Sequence, residues 1–291
     1  MSFRKPFSPG LPKPRSRSES SPRMRSSPPE PRFSLLNLWL LCLKLYRKCF
    51  CRASIRNWEF HKRYQGGKRD FRRLQFLAVD LRGIDLSSIN VQGANLRQAL
   101  NLHEAQLKGA NLTQADLQGV NLSATDLSYT CLARANLEEA ILSKARLEGA
   151  VLSRAILRAA NLTEADCTGV NFSNVVLDYA NCSESVFSES NLSGARLIGA
   201  NLSDALLNDT NLSHADLSFA NLTNADLSGS EMNQARLLQA DLSRTHIKDV
   251  NLPQIQTDSG DASVKRTANP SPSLWEIFFG IYSRKSRKNG S

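Results

Sequence analysis

The chain has few of the residues that enzymes rely on. Of its 291 residues, four are histidine and three are tryptophan. His61 stands in a basic segment, and His103, His214 and His246 fall at unrelated places. No nucleophile, base and orienting group therefore share a pattern. Gly-rich phosphate loops and nucleotide fingerprints are missing. Six cysteines are scattered as Cys42, Cys49 and Cys51 near the N-terminus and Cys131, Cys167 and Cys182 further on. That spread argues against a disulfide framework and for a reducing, cytoplasmic setting. Cys49-Phe50-Cys51 has only His61 nearby, short of the four ligands a structural zinc needs. The longest apolar run, Phe33 to Tyr46, is interrupted by Asn37 and Lys44 and falls short of the roughly twenty residues of a membrane-spanning helix. These absences point to a chain with no catalytic residues, no cofactor and no metal.

A period of five residues takes the place of those features. From Leu102 to Leu252 every fifth residue is Leu, or a Cys, Phe, Met or Ile in its place, across thirty-one units. Two residues before each centre stands a small or β-branched residue, Leu100 excepted. Helices bury residues at a period near 3.6 and strands at 2, so neither accounts for five. Two inward positions in five suit one side of a square coil, with four sides per turn of about twenty residues. An earlier set, Phe76, Leu81, Leu86, Val91 and Leu96, keeps the same step; from Leu96 to Leu102 it is six, which predicts an outward bulge around Arg97–Leu100. Glycines at the last position of many units, such as Gly109 and Gly199, suit tight corners.

The stretches Ala110-Asn111-Leu112-Thr113-Gln114 and Ala225-Asp226-Leu227-Ser228-Gly229 resemble the pentapeptide-repeat family, A(D/N)Lxx. The segment from Phe60 to Phe71 looks like the leader of many bacterial, notably cyanobacterial, members. The resemblance implies an all-β solenoid, a right-handed quadrilateral β-helix. Thirty-six units make about nine coils, about 43 Å long at the usual strand spacing. Short helical or irregular caps and disordered termini complete the expectation. Residues twenty apart then stack and residues ten apart face each other, so Phe187 stacks on Cys167 and Phe172 lies opposite Cys182, large against small.

Charge divides the chain. Residues 1–75 hold 19 Lys/Arg and 4 Asp/Glu, residues 76–252 hold 12 and 20, and residues 253–291 hold 6 and 3. Six segments follow: a basic Pro/Ser/Arg-rich arm, 1–32, expected to be disordered; an apolar-basic segment, 33–53, around Leu38, Trp39 and Leu40; an N-terminal cap, 54–73, reading as a short helix and a Gly66-Gly67 turn, with Trp58, Phe60 and Tyr64 as capping side chains; the repeats, 74–252; a linker, 253–272; and an apolar-basic segment, 273–291, around Trp275, Phe278 and Phe279. Met24 offers a second possible start. Segments 33–53 and 273–291 are expected either to lie in an anionic membrane surface or to pack on the solenoid.

One side of the repeats is expected to be sticky. Ile156, Val176, Tyr179, Ile198, Phe219 and Leu238 occupy outward positions on successive coils and form an apolar stripe. The sequence therefore reads as a non-enzymatic scaffold for a protein partner or a second copy, tethered at a membrane by its tails. The alternative is a nucleic-acid-system binder. In one version the basic tails grip nucleic acid. In the other the repeats imitate duplex DNA and modulate a topoisomerase, as some members of the resembling family do. Mimicry needs a dense acidic surface, and Arg82, Arg97, Arg134, Arg154, Arg158, Arg196 and Arg236 interrupt it here.

Overall fold

The computed structural model describes residues 53–99 and 102–251. Backbone pairing through the repeats follows one rule: each outward residue ahead of a centre pairs in parallel with the residue twenty later, as Gln106 with Asp126 and Asn161 with Asn181. Twenty residues at a period of five are four sides, so the chain forms a β-solenoid. The Leu-type centres point inward and are buried from Leu102 through Met232. So are the small residues two before them, including the polar Thr125, Ser185 and Thr210. Thr125 and Thr210 stay inside because their hydroxyls donate to the Leu102 and Phe187 carbonyls, both at 2.9 Å.

Most corners close in the same way. The Ala115 N–H donates to the Leu112 carbonyl at 2.9 Å, and Gln114 between them sits at φ 57°. A left-handed third residue is what a type II turn demands. Every corner from Glu104 to Asp249 takes this conformation, and most of these residues are not glycine. The left-handed conformation alone therefore does not require glycine at the corners. The left-handed cost of roughly 1–2 kcal/mol per residue is offset because the corner residue's own N–H joins the next coil, as Gln114 donates to the Ala133 carbonyl at 2.9 Å. Asn and Asp ahead of the centre brace the turn from outside: Asn111 accepts from the Thr113 N–H at 3.1 Å. At Asp85 the hydrogen bonds from Ser87 hold the carboxyl below its ordinary range.

The six-residue step is absorbed within one coil. Asp70 pairs with Asn90 and Gln75 with Asn95, twenty apart, but Asp85 pairs with Gln106, Asn90 with Asn111 and Asn95 with Asp116, twenty-one apart. Leu96 and Leu102 on either side both point inward. Leu100 and Asn101, where the bulge is expected, lie outside the described residues. An apolar void of about 10 Å³ lies in these coils, lined by Phe76, Leu86, Leu96, Leu102 and Leu107 among others.

Before the first coil, β1 (Ser54–Arg56) runs parallel to β2 (Gln75–Leu77), and α1 (Asn57–Gln65) follows β1. Gln75 pairs with Ser54 on one side and Asn95 on the other, so β1 occupies an edge of the first coil that would otherwise be open. The sequence reading has the helix but not this strand. Phe60 is buried, 4.9 Å from the Phe71 ring and 5.6 Å from the Phe76 ring, and stacks on Tyr64 at 5.5 Å. The Tyr64 hydroxyl donates to the Asp85 carbonyl at 2.5 Å. Trp58, expected beside them, is 67% exposed, because its place on α1 faces away from the coil. Phe71 is buried and Arg73 takes the left-handed corner, so the repeat geometry already holds at Phe71.

Of the two expected large-against-small pairs, the backbone places Phe187 on Cys167. The Cys167 N–H donates to the Val186 carbonyl, which seats Phe187 on Cys167. The Phe172 and Phe187 rings also touch, with centroids 5.5 Å apart. Burial pushes the Cys182 thiol up to about 12 and raises Cys167 as well, so both stay neutral core residues.

Candidate interaction face

The side centred on Leu157, Leu177, Leu197, Leu217 and Leu237 carries the stripe. Its residues stack through the pairs Ile156–Val176, Val176–Arg196, Arg196–Asp216 and Asp216–Arg236. Ile156, Tyr179 and Phe219 are exposed at 43%, 67% and 58%, on the first, second and fourth of these coils. Val176, Ile198 and Leu238 are half-buried between them. All six residues singled out from sequence thus fall on one side of the solenoid.

The tyrosine is held flat by what lies above it. A Cβ on Gly199 would come within 2.8 Å of the Tyr179 ring, so the ring rests on a glycine one coil later. Tyr129 lies on Gly149 in the same way, on a different side; its hydroxyl donates to Glu148 at 3.2 Å, which raises its pKa. This pairing of a corner aromatic with a corner glycine twenty residues on is visible in the sequence only once the coil length is known.

Sequence reasoning missed the depth of the charges. Asp178 is buried, and its Oδ2 accepts from Arg196 Nη2 at 2.6 Å while Oδ1 accepts from the Ile198 N–H at 3.3 Å. Arg196 itself is half-exposed above it. Asp216 sits lower than Arg236 in the same fashion, at 3.6 Å. Arg158 stands exposed on the same side and Arg154 at the corner after Leu152; neither has an ion pair to an acidic residue among the described residues. On the coil before Arg158 the same side carries Glu138 and the exposed Glu139, and the neighbouring side exposes Glu164, Glu184 and Asp204. Between them runs a rigid amide ladder, Asn221 donating to Asn201 at 3.0 Å and Asn201 to Asn181 at 3.1 Å.

Among the described residues no group of His, Cys, Asp and Glu is placed to hold a metal ion, and no helix is long and apolar enough to cross a membrane. Leu38, Trp39, Leu40, Trp275, Phe278 and Phe279 lie outside the described residues. So do the arm 1–32, the linker 253–272 and Cys49-Phe50-Cys51.

The family profile described as pentapeptide repeats (8 copies) matches in six overlapping stretches from residue 75 to residue 254. The chain belongs to the pentapeptide-repeat family. Among solved structures it is similar to HetL, a pentapeptide-repeat protein involved in heterocyst differentiation regulation from the cyanobacterium Nostoc, with 29% identity over 71% of this chain and 99% of that one and a TM-score of 0.44. It is also similar to a trypsin-treated form of QnrB1, a plasmid-mediated fluoroquinolone resistance protein, with 19% identity over 64% and 86% and a TM-score of 0.41. Rfr23 from the cyanobacterium Cyanothece shares 35% identity over 37% of this chain and 64% of that one, with a TM-score of 0.13. No curated protein sequence matches at a significant level.

Proposed function

We propose that the chain is a non-enzymatic scaffold, a right-handed quadrilateral stack of about nine coils with covered ends, that presents its Ile156–Leu238 side to a protein. The observation that carries this reading is the exposure of Tyr179 and Phe219 in one stripe with Ile156, Val176, Ile198 and Leu238. A contiguous apolar stripe of that kind costs solubility unless something covers it. Catalysis would need a pocket in which reacting groups converge; the stack's interior is filled by its own Leu, Ala and Phe side chains. The basic excess and apolar runs of residues 33–53 and 273–291 support placement at an anionic membrane surface from the cytoplasmic side.

Sedimentation and vesicle flotation of the full-length protein test the two halves of this reading. If the partner is a second copy, the wild type sediments as a dimer and Tyr179→Ser plus Phe219→Ser as a monomer; an unchanged mass rules out self-association through this side. For the membrane half, the protein should float with anionic vesicles, less so at high salt, and stay down with neutral ones. Failure to float with anionic vesicles at low salt would contradict the tether.

A further inference from the structure

We infer that the N-terminal end of the solenoid rests on an anionic lipid surface, with Trp58 and Lys62 of α1 foremost. This deepens the tether reading and rests on it, adding the folded end of the rod to the flanking segments. The first observation is charge. Residues 53–99 hold 9 Lys/Arg and 4 Asp/Glu, whereas residues 102–251 hold 10 and 18. Two of the four carboxylates at the basic end are already paired, Glu59 with Arg63 and Asp70 with Arg72. The other two, Asp80 and Asp85, belong to the coil that α1 covers: the Asp80 N–H donates to the Asn57 side chain at 3.3 Å, and the Asp85 carbonyl accepts from Tyr64. Arg56, Lys62, Lys68 and Arg73 are exposed and have no ion pair among the described residues. The second observation is Trp58. Phe60 and Tyr64 pack toward the first coil, so Trp58 and Lys62, four apart on α1, share the face turned away from it. Trp58 is 67% exposed, and the next exposed large apolar residue among those described is Tyr129. An indole beside unpaired cations suits the boundary between headgroups and acyl chains.

The sequence leading into this end favours lipid over nucleic acid. Tyr46, where the apolar run from Phe33 ends, joins Ala53 through a stretch that holds Arg47, Lys48 and Arg52. A nucleic acid would use the cations and leave that run uncovered, whereas a lipid surface takes both. The acidic excess of residues 102–251 repels an anionic surface, so the rod meets it end-on rather than along its length. The apolar stripe starts four coils beyond Gln75, at Ile156, which is roughly 20 Å along the axis at the usual strand spacing. A rod standing on its N-terminal end therefore keeps that stripe clear for a protein.

The test uses the full-length chain with Trp39→Phe and Trp275→Phe, which leaves Trp58 as its one tryptophan. It is titrated with vesicles of phosphatidylserine and phosphatidylcholine, with phosphatidylcholine vesicles and with oligothymidylate, and vesicle binding is read separately by flotation. On the anionic vesicles the Trp58 emission is expected to shift to the blue and to be quenched by brominated acyl chains, and on the neutral ones to stay unchanged. In the same background Lys62→Gln plus Lys68→Gln is compared with Arg244→Gln plus Lys248→Gln, which removes equal charge from the last described coil. All four positions are exposed, so both variants should keep the parent's melting curve. The first is expected to lose about tenfold or more in affinity for the anionic vesicles, and the second to lose far less. Flotation with an unchanged Trp58 emission overturns the inference and leaves the tether to the flanking segments. Equal losses from the two variants also overturn it, since the attraction would then belong to the whole chain and not to this end. Absence of flotation overturns both the inference and the tether reading. A Trp58 emission that responds to oligothymidylate but to neither vesicle overturns the inference in favour of a nucleic-acid contact.

Discussion

Replacing Phe187 with alanine is expected to destabilise the solenoid by about 3–5 kcal/mol, the range for a fully buried phenylalanine. Phe187 is inaccessible to solvent, rests on Cys167 and touches the Phe172 ring at 5.5 Å. Coils stacked on both sides leave little room for collapse, so the cavity term stays large. The matching of large with small gives a second, sharper expectation. Phe187→Leu alone leaves a gap above Cys167, and adding Cys167→Leu refills it, so the double variant should recover part of the loss. Chemical denaturation of the three variants measures this. Equal stability of single and double variants would show that the two sites do not share a packing volume. Tyr179→Ala, on the surface, should cost far less than Phe187→Ala.

Inserting one residue between Ala155 and Ile156 should cost more than inserting one beside Ala99. At Ala155 the chain lies between two coils paired at a strict spacing of twenty, Asn136 with Ile156 and Ile156 with Val176. An extra residue there moves Leu157 off the inward position or breaks the Ile156 pairs. A loss on the order of a buried leucine, about 2–5 kcal/mol, follows. The coil beside Ala99 already carries an extra residue, shown by the spacing of twenty-one between Asn95 and Asp116, and its packing already holds a void. A further residue there should cost about 1 kcal/mol or less, as a surface change usually does. Thermal melts of the two insertions decide the point; equal losses would mean that the step at Leu96–Leu102 has no special tolerance.

The period was the legible part of this chain. Because each centre is five residues from the next, the side on which any residue falls can be counted, and the stripe from Ile156 to Leu238 and the Phe–Cys pairs follow from that count. Other features depend on three-dimensional context that a period does not carry. The strand Ser54–Arg56 has no alternation of its own and exists because the first coil offers an unpaired edge. Glu139 and Phe219 take left-handed corners against their own preference because coil-to-coil hydrogen bonds require it. The Asp178 carboxylate counts the same as any other in a charge sum, but burial beneath Arg196 removes it from the surface. Trp58 shows the converse: an aromatic beside two packing aromatics, placed on the outer side of a helix of nine residues.

Site-specific photo-crosslinking tests the scaffold reading most directly. A photoreactive residue replaces Tyr179 in one full-length protein and Asp204, on the neighbouring side, in another, and both are irradiated in the cells that make the protein. The scaffold reading predicts a discrete protein adduct from position 179 that disappears when Phe219→Ser is added, and none from position 204. Adducts of equal yield from both positions, or none from position 179, would contradict it.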